Sequence, residues 1–257
     1  DFDRLKEQRL QAIEQRKTQA SATAGTVFSL LLFGQENPSA HSGLGTKETV
    51  DAITLDDVKA FYAANYSPAI SSVIAVSDLP QEDLMQKLAS FDEWSGADVT
   101  PAGMAPFPEI AAKTLYLVDK PEAAQSEIRI GKRGLTYDAT GEYYRSRLMN
   151  YILGGAFNSR INLNLREDKG YTYGARSYFS GSNMSGSYVA RAGVRSNVTA
   201  EAIQEMLEEI SNYAENGITA EELAFTKSAI GQSEALDYET PYDKLGFLSQ
   251  ILTYDLP

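Results

Sequence analysis

The chain has 257 residues, 23 basic against 35 acidic side chains, one histidine and no cysteine, for a formal net charge of −12. That length can bury a sizeable core as one large or two smaller domains, and the acidic balance argues against nucleic acid or an anionic membrane surface as the main partner. No run approaches the ~18 apolar residues of a membrane span, and the missing thiols leave the redox compartment open.

In chain order, residues 3–33 read as a long helix or a helix pair. RLKEQRLQAIEQRKTQA places Leu5, Leu10, Ile13 and Ala12 near one stripe, and GTVFSLLLFG is apolar enough to be buried. Gly34 ends this run, and a loop of turn formers follows. Thr46 has the spacing of a cap for a short helix. Thr54 is the clearer case, with Asp57 at the capping-box position and Leu55, Val58, Phe61 and Tyr62 on the apolar side. SSVIAVSD, residues 71–78, reads as a buried strand, and residues 80–91 as a helix with Leu84, Met85 and Leu88 inward.

Residues 95–108 hold three prolines and two glycines in fourteen positions, the composition of an extended linker. TLYLVDK, residues 114–120, then reads as a strand. AAQSEIRIGKRG, residues 123–134, reads as a second one, with Ile128 and Ile130 on one face and Glu127 and Arg129 on the other, the mark of a sheet buried on one side. A helix over 138–155, with Tyr144, Leu148, Tyr151 and Ile152 periodic, runs into the glycine pair Gly154 and Gly155. The polar NLNLREDKG hands over to YTYGARSYFSG and SGSYVARAGVRS, a hairpin. Helices are expected at 199–217, closed by Gly217, and at 219–237, opened by Thr219 with Glu222 at the box position. Residues 3–38 and 222–257 share a faint repeat, a long helical run, an apolar stretch and a proline, as in duplicated domains cut at different points. The chain begins DFDRLKEQRL, without an initiating Met or a signal peptide, as a piece of something longer would.

Metal and nucleophile chemistry are constrained by donors. His41, in a loop, is the single histidine, so neither a protein zinc site built on imidazoles nor Ser-His-Asp or Cys-His catalysis can be assembled here. An all-carboxylate calcium or magnesium site stays open, although the D-x-[DN]-x-[DN]-G spacing does not occur. The informative stretch is 154–179, GGAFNSRINLNLREDKGYTYGARSYF. Arg166, ending a helical run, and Tyr173, in the strand beyond, can converge on one ligand, the first as a fork of donors and the second as a hydroxyl. The competing reading makes the tyrosines sheet packing and the arginines a solvated rim. Arg160 either contacts a substrate or binds the acidic cluster near Glu167, and Gly154 and Gly155 either permit a close backbone approach or end a helix. Arg176, Arg191 and Arg195 form either a basic strip on the hairpin or scattered surface charge, and Tyr171 and Tyr178 read as packing.

YILGGAFNSRINLNLREDKGYTYGARS resembles the signature of the non-zinc domains of the pitrilysin and insulinase family of zinc peptidases, which includes the mitochondrial processing peptidases and bacterial relatives. VDKPEAAQSEIRIG is similar to the opening of those domains, and RLKEQRLQAIEQRK, SLLLFG, GTKETVDAITLDDVKAFYAANYSP and SSVIAVSD resemble the latter half of a preceding one. The resemblance implies an α+β fold of tandem two-layer domains, each a mostly antiparallel sheet packed on helices. Residues 1–95 would be the latter half of one domain, 96–108 the linker, and 109–257 most of a second, non-zinc domain. It also implies that Arg166 and Tyr173 serve catalysis on a peptide or unfolded polypeptide, with Arg160, Gly154 and Gly155 binding substrate. The family's inverted motif H-x-x-E-H is absent. No metal ligand is therefore assigned here, and zinc is expected in an upstream domain of the parent or in a partner subunit. The alternatives are a noncatalytic partner subunit of the same fold and a soluble α/β module whose role is packing. A periplasmic or secreted location is the expectation for bacterial relatives, and truncated domains would favour self-association through exposed strand edges.

Overall fold

A computed structural model describes residues 1–234 and 238–257. Two helices open the chain, α1 (Phe2–Thr18) and α2 (Ala20–Phe33), and Gly34 ends the second with φ 76°, a conformation open to glycine. Next come α3 (Lys47–Ala52) and α4 (Leu55–Asn65), each started by a capping box, Thr46 with Thr49 and Thr54 with Asp57. After α5 (Gln81–Leu88) the chain runs without regular elements, one short 3-10 turn apart, to β1 (Gln125–Arg133). Then follow α6 (Glu142–Asn150), a π-helical turn over Tyr151–Gly155, α7 (Arg160–Asn162) and a second π-helical segment over Leu163–Asp168. The hairpin β2 (Thr172–Gly181) and β3 (Gly186–Arg195) precedes α8 (Thr199–Asn216), α9 (Ala220–Glu234) and α10 (Pro241–Tyr254). The last three positions of the helix expected over 219–237 lie outside the described residues.

The chain divides into two compact units. One comprises Asp1–Leu10, Thr46–Gly103 and Ile230–Pro257, and the other Gln11–Gly45 and Met104–Ala229. The second unit holds the antiparallel sheet, in the order β1-β3-β2. Ile128, Ala190, Ala192 and Val194 on one face meet Ile152, Leu153, Ile161, Leu165, Ala202 and Met206 from the helices. Each large aliphatic side chain buried there contributes about 1.5–3 kcal/mol. The α+β arrangement of an antiparallel sheet on helices is thus as the sequence implies.

Several local expectations differ. The face carrying Glu127 and Arg129 is not open, because α2 lies on it: Arg129 Nη2 donates to Ser21 O at 3.4 Å, and a Cβ at Gly131 would meet the Phe28 ring. No strand forms over 71–78 or 114–120 among the described residues. Both runs are β-branched or leucine-rich but find no ladder partner, so Val73, Leu115 and Leu117 stand exposed. On α1 Ile13 is buried and Leu5 exposed, and the expected apolar sides of α4 and of Met85 on α5 also face outward. In α6 Tyr143 is buried in place of Tyr144, since a tyrosine pair leaves the helical phase undecided by one residue. The run 162–170, read as a polar handover, is helical up to Asp168.

Candidate functional site

Two backbone irregularities meet where helix gives way to strand. The π-helical segment carries Arg166 and is followed by Gly170, whose φ of 63° turns the chain; Tyr171 N donates to Leu165 O at 2.8 Å, holding the strand's entry against the helix. At the start of β2, Thr172 pairs with Val194 and Ala175 with Ala192, so Tyr173 and Gly174 together oppose Gly193 in a β-bulge. Thr172 Oγ1 accepts from Gly174 N at 3.1 Å and donates to Gly193 O at 2.7 Å, and Asn162 Oδ1 accepts from Ala175 N at 2.9 Å. Asn162 also donates to Phe157 O at 2.7 Å, so one buried amide ties the helical segment to the bulge. Both kinds of irregularity recur at functional sites, where they re-aim side chains.

The side chains of this region divide into two groups. Asn150 and Ser177 are buried and satisfy each other: Ser177 Oγ donates to Asn150 Oδ1 at 2.6 Å and Asn150 Nδ2 to Ser177 O at 2.7 Å. Asn164 donates to Glu205 and Glu209, and Lys169 donates to Glu205 at 2.5 Å. The Lys169 contact, with help from Asn164, holds the Glu205 carboxyl below its usual range, and the same contact raises the Lys169 ammonium. Arg160 forks Glu222, with Nε and Nη2 each 2.6 Å from a carboxylate oxygen. It adds Gly217 O at 3.1 Å and lies 4.7 Å from the Tyr213 ring centroid. Its acidic partner is therefore Glu222 and not the cluster near Glu167.

Arg166 and Tyr173 form the second group. Tyr173 is 93% exposed, and its hydroxyl makes no hydrogen bond among the described residues. The Arg166 guanidinium lies over Phe157, 4.6 Å from the ring centroid, and Nη1 is 2.9 Å from Glu167 Oε1 without the alignment a hydrogen bond needs. Among the described residues no hydrogen bond, ion pair or ring contact joins Arg166 to Tyr173. Gly154 makes a close approach, but to its own chain: a Cβ there would meet Ser177 Oγ and lie 2.5 Å from Ser177 N. Gly155 is exposed. Asn150, Asn162 and Ser177 escape sequence reasoning, as does the pairing of the capping residue Glu222 with Arg160. The one signal of Asn150 and Asn162 is an asparagine set among apolar neighbours, in NYIL and RINLNL.

The donor set does not suit zinc. His41 Nε2 is engaged with Gln35 O at 2.5 Å, and among the described residues no group of three His, Cys, Asp or Glu is gathered to hold a metal.

A helix-backed antiparallel sheet, entered through irregular backbone that carries an arginine and a tyrosine, defines an α+β domain of two layers. The family described as "Peptidase M16 inactive domain" matches residues 52–230, more than half of the sequence, and the chain belongs to that family. The crystal structure of a peptidase M16 inactive domain from Pseudomonas fluorescens superimposes with a TM-score of 0.87 at 27% identity, over 100% of this chain and 61% of that one. An uncharacterized zinc protease of Streptomyces coelicolor is 28% identical over 211 residues, 80% of this chain and 45% of that protein. A non-peptidase homolog, YmxG of Helicobacter pylori, is 25% identical over 261 residues, 100% of this chain and 59% of that protein. The chain thus spans about half the length of the curated relatives it matches.

Proposed function

We propose that this chain is the substrate-positioning part of a zinc metallopeptidase that hydrolyses peptide bonds. Zinc is held in an upstream domain of the parent or in a partner subunit. Along the sequence, residues 1–95 are the latter half of one peptidase-like domain, 96–108 a linker and 109–257 most of a second, a division that concerns the parent's repeats and not the compact units. Arg166 and Tyr173 bind the substrate backbone and stabilise the charge that develops on the attacked carbonyl oxygen. The observation that carries this reading is the division of polar side chains around 150–177. Asn150, Arg160, Asn162, Asn164, Lys169, Thr172 and Ser177 are all engaged in holding the chain together, whereas among the described residues the Tyr173 hydroxyl has no hydrogen-bond acceptor and Arg166 meets only the Phe157 ring and, as an ion pair, its neighbour Glu167. A hydroxyl so placed adds little to folding and is free for a ligand, and an arginine paired only with a half-exposed neighbouring carboxylate can exchange that partner for one.

The test is peptide turnover by the full-length protein. Arg166→Ala and Tyr173→Phe are each expected to lower kcat by about 10²-fold, as loss of one oxyanion donor does, with the thermal midpoint unchanged. Undiminished turnover in both variants would sink the proposal. A second reading, a noncatalytic partner subunit, is favoured by the relative called a non-peptidase homolog, which matches the whole chain. Full-length protein without bound zinc, inert alone but raising turnover by a zinc-bearing partner, would decide for it.

A further inference from the structure

The face of the sheet turned away from the core carries three arginines in one row. Arg129 on β1 stands opposite Arg191 on β3, and Arg191 stands opposite Arg176 on β2. Directly opposed residues of antiparallel strands share a face with their Cβ atoms about 5 Å apart, and like charges so placed destabilise a sheet. Among the described residues one carboxylate compensates the row: Glu127 Oε2, 3.1 Å from Arg129 Nη1. Arg191 lies over the Tyr178 ring at 5.4 Å and has no ion pair among the described residues, and Arg176 is exposed without a hydrogen bond or ion pair among them. In a chain of net charge −12, this is a local excess of cations that folding does not require.

Beside the row α2 covers β1, Ser187 and Val189 of β3 are buried, and Arg191 and the outward side chains of β2 stay exposed, which leaves a groove of about 470 Å³, within the range of ligand sites. Arg129 and Arg191 line one end of it, Tyr178 and Val189 the floor, and Phe28 and Phe33 the helix side, with hydroxyls from both walls. Some of those hydroxyls pair with one another, Ser180 with Ser187 at 2.9 Å and Ser39 with Ser185 at 3.2 Å. Gly25 of α2 lines the groove too, and a side chain there would have nothing within 4 Å, so the helix leaves this space clear.

We infer that this groove binds an extended peptide by a carboxylate, held in the fork of Arg191 at the groove's end, with Arg129 behind it and Arg176 next to it on the neighbouring strand. Arginine matches a planar carboxylate with two parallel hydrogen bonds. The aromatic floor and the hydroxyls suit a short peptide's side chains and amides. The acidic surface elsewhere selects the size of the charge. Screening over about 8 Å at physiological salt lets one or two carboxylates reach the row, while a polyphosphate or nucleic acid meets repulsion all round. The groove is a site distinct from Arg166 and Tyr173, and its occupancy is independent of the role proposed for them.

Binding by the intact protein is read directly by fluorescence anisotropy, without turnover. The probes are a labelled, acetylated and amidated hexapeptide with two glutamates, the same peptide with glutamines, and a neutral hexapeptide with a free C-terminus; inorganic phosphate is the competitor. The glutamate peptide is expected to bind at least tenfold more tightly than the glutamine one. Arg176→Gln and Arg191→Gln should each weaken it about tenfold, and Gly25→Leu, which fills the groove without altering charge, should abolish binding while circular dichroism shows the fold intact. Comparable binding of the neutral peptide assigns the carboxylate to a chain end, and its failure assigns it to a side chain. Equal affinity for the glutamate and glutamine peptides, wild-type affinity in all three variants, or phosphate displacing the peptide at equal concentration would overturn the proposal.

Discussion

At Gly154 one missing methyl group decides how closely a helix can approach a strand. Alanine in a helix is ordinarily better than glycine by up to about 1 kcal/mol, and Gly246 in α10, where an added Cβ meets nothing within 4 Å, should show that gain. At Gly154 the same change drives a Cβ into Ser177. Gly154→Ala is therefore expected to destabilise the protein by about 1–3 kcal/mol, as overpacking does, measured by urea unfolding. Adding Ser177→Ala should not restore stability, because the Ser177 nitrogen remains 2.5 Å from the new carbon. A Gly154→Ala midpoint at or above wild type would show that this approach is loose. The glycine pair was legible as either a close approach or a helix end, and the structure makes it both, with Gly154 against β2 and Gly155 closing the π-helical turn. Asn150 and Asn162 were not legible. Period counting assigns a polar residue to the wet side, whereas these amides are buried and hold the strand by its backbone.

Between elements, Arg160 joins the start of α7 to the end of α8, through Gly217 O, and to the first turn of α9, through Glu222. Glu222 also accepts from Thr219 N at 2.8 Å, so one carboxylate serves as capping-box partner and as half of an ion pair. The Arg160 hydrogen bond is the main cause that holds the Glu222 carboxyl at about 2, against 4.5 for the free group. A depressed carboxyl stabilises fully above its unfolded value, and that stability is lost as pH falls from about 4.5 towards 2. Glu222→Gln should cost about 1–2 kcal/mol at pH 7, a charge-assisted bond in a partly solvated place, and the difference from wild type should shrink steadily below pH 4.5. A gap of constant size between pH 7 and pH 3 in urea melts would remove the ion pair from the account. The capping boxes at Thr54 and Thr219 were legible because a cap is a local contract between residues three apart. The runs 71–78 and 114–120 were misread for the opposite reason: propensity marks a segment that suits a sheet, but a strand exists only with a ladder partner. Leu115 and Leu117, 80% and 91% exposed, show that composition carried the first condition without the second.

On the scale of the molecule, the unit of Gln11–Gly45 and Met104–Ala229 holds both hydrophobic clusters among the described residues, whereas the unit of Asp1–Leu10, Thr46–Gly103 and Ile230–Pro257 gathers none. The family was legible because its signature falls in the first of these, where helix, bulge and hairpin follow each other within one short stretch and short-range pattern coincides with tertiary packing. It was least legible over 95–108, a proline-rich spacer without period, whereas the run 45–78 resembled the family although Phe61 and Tyr62 face outward. Local opening follows the density of buried apolar contacts. Amide exchange is therefore expected to be slowest in β3, the central strand, where Ala190 and Val194 are wholly buried, and in α8 around Met206. The helices between Lys47 and Leu88 should exchange markedly faster, since α3 and α4 have capped first turns and α5 has none, and Val50 is the one buried hydrophobic side chain among the three. Exchange read by mass spectrometry checks this, and equal protection of α4 and β3 would mean that the Thr46–Gly103 segment is stabilised by something other than buried apolar surface of its own. Because capped ends add only about 0.5–2 kcal/mol each and a buried side chain as much again or more, the contrast between the two units should survive loss of any single cap.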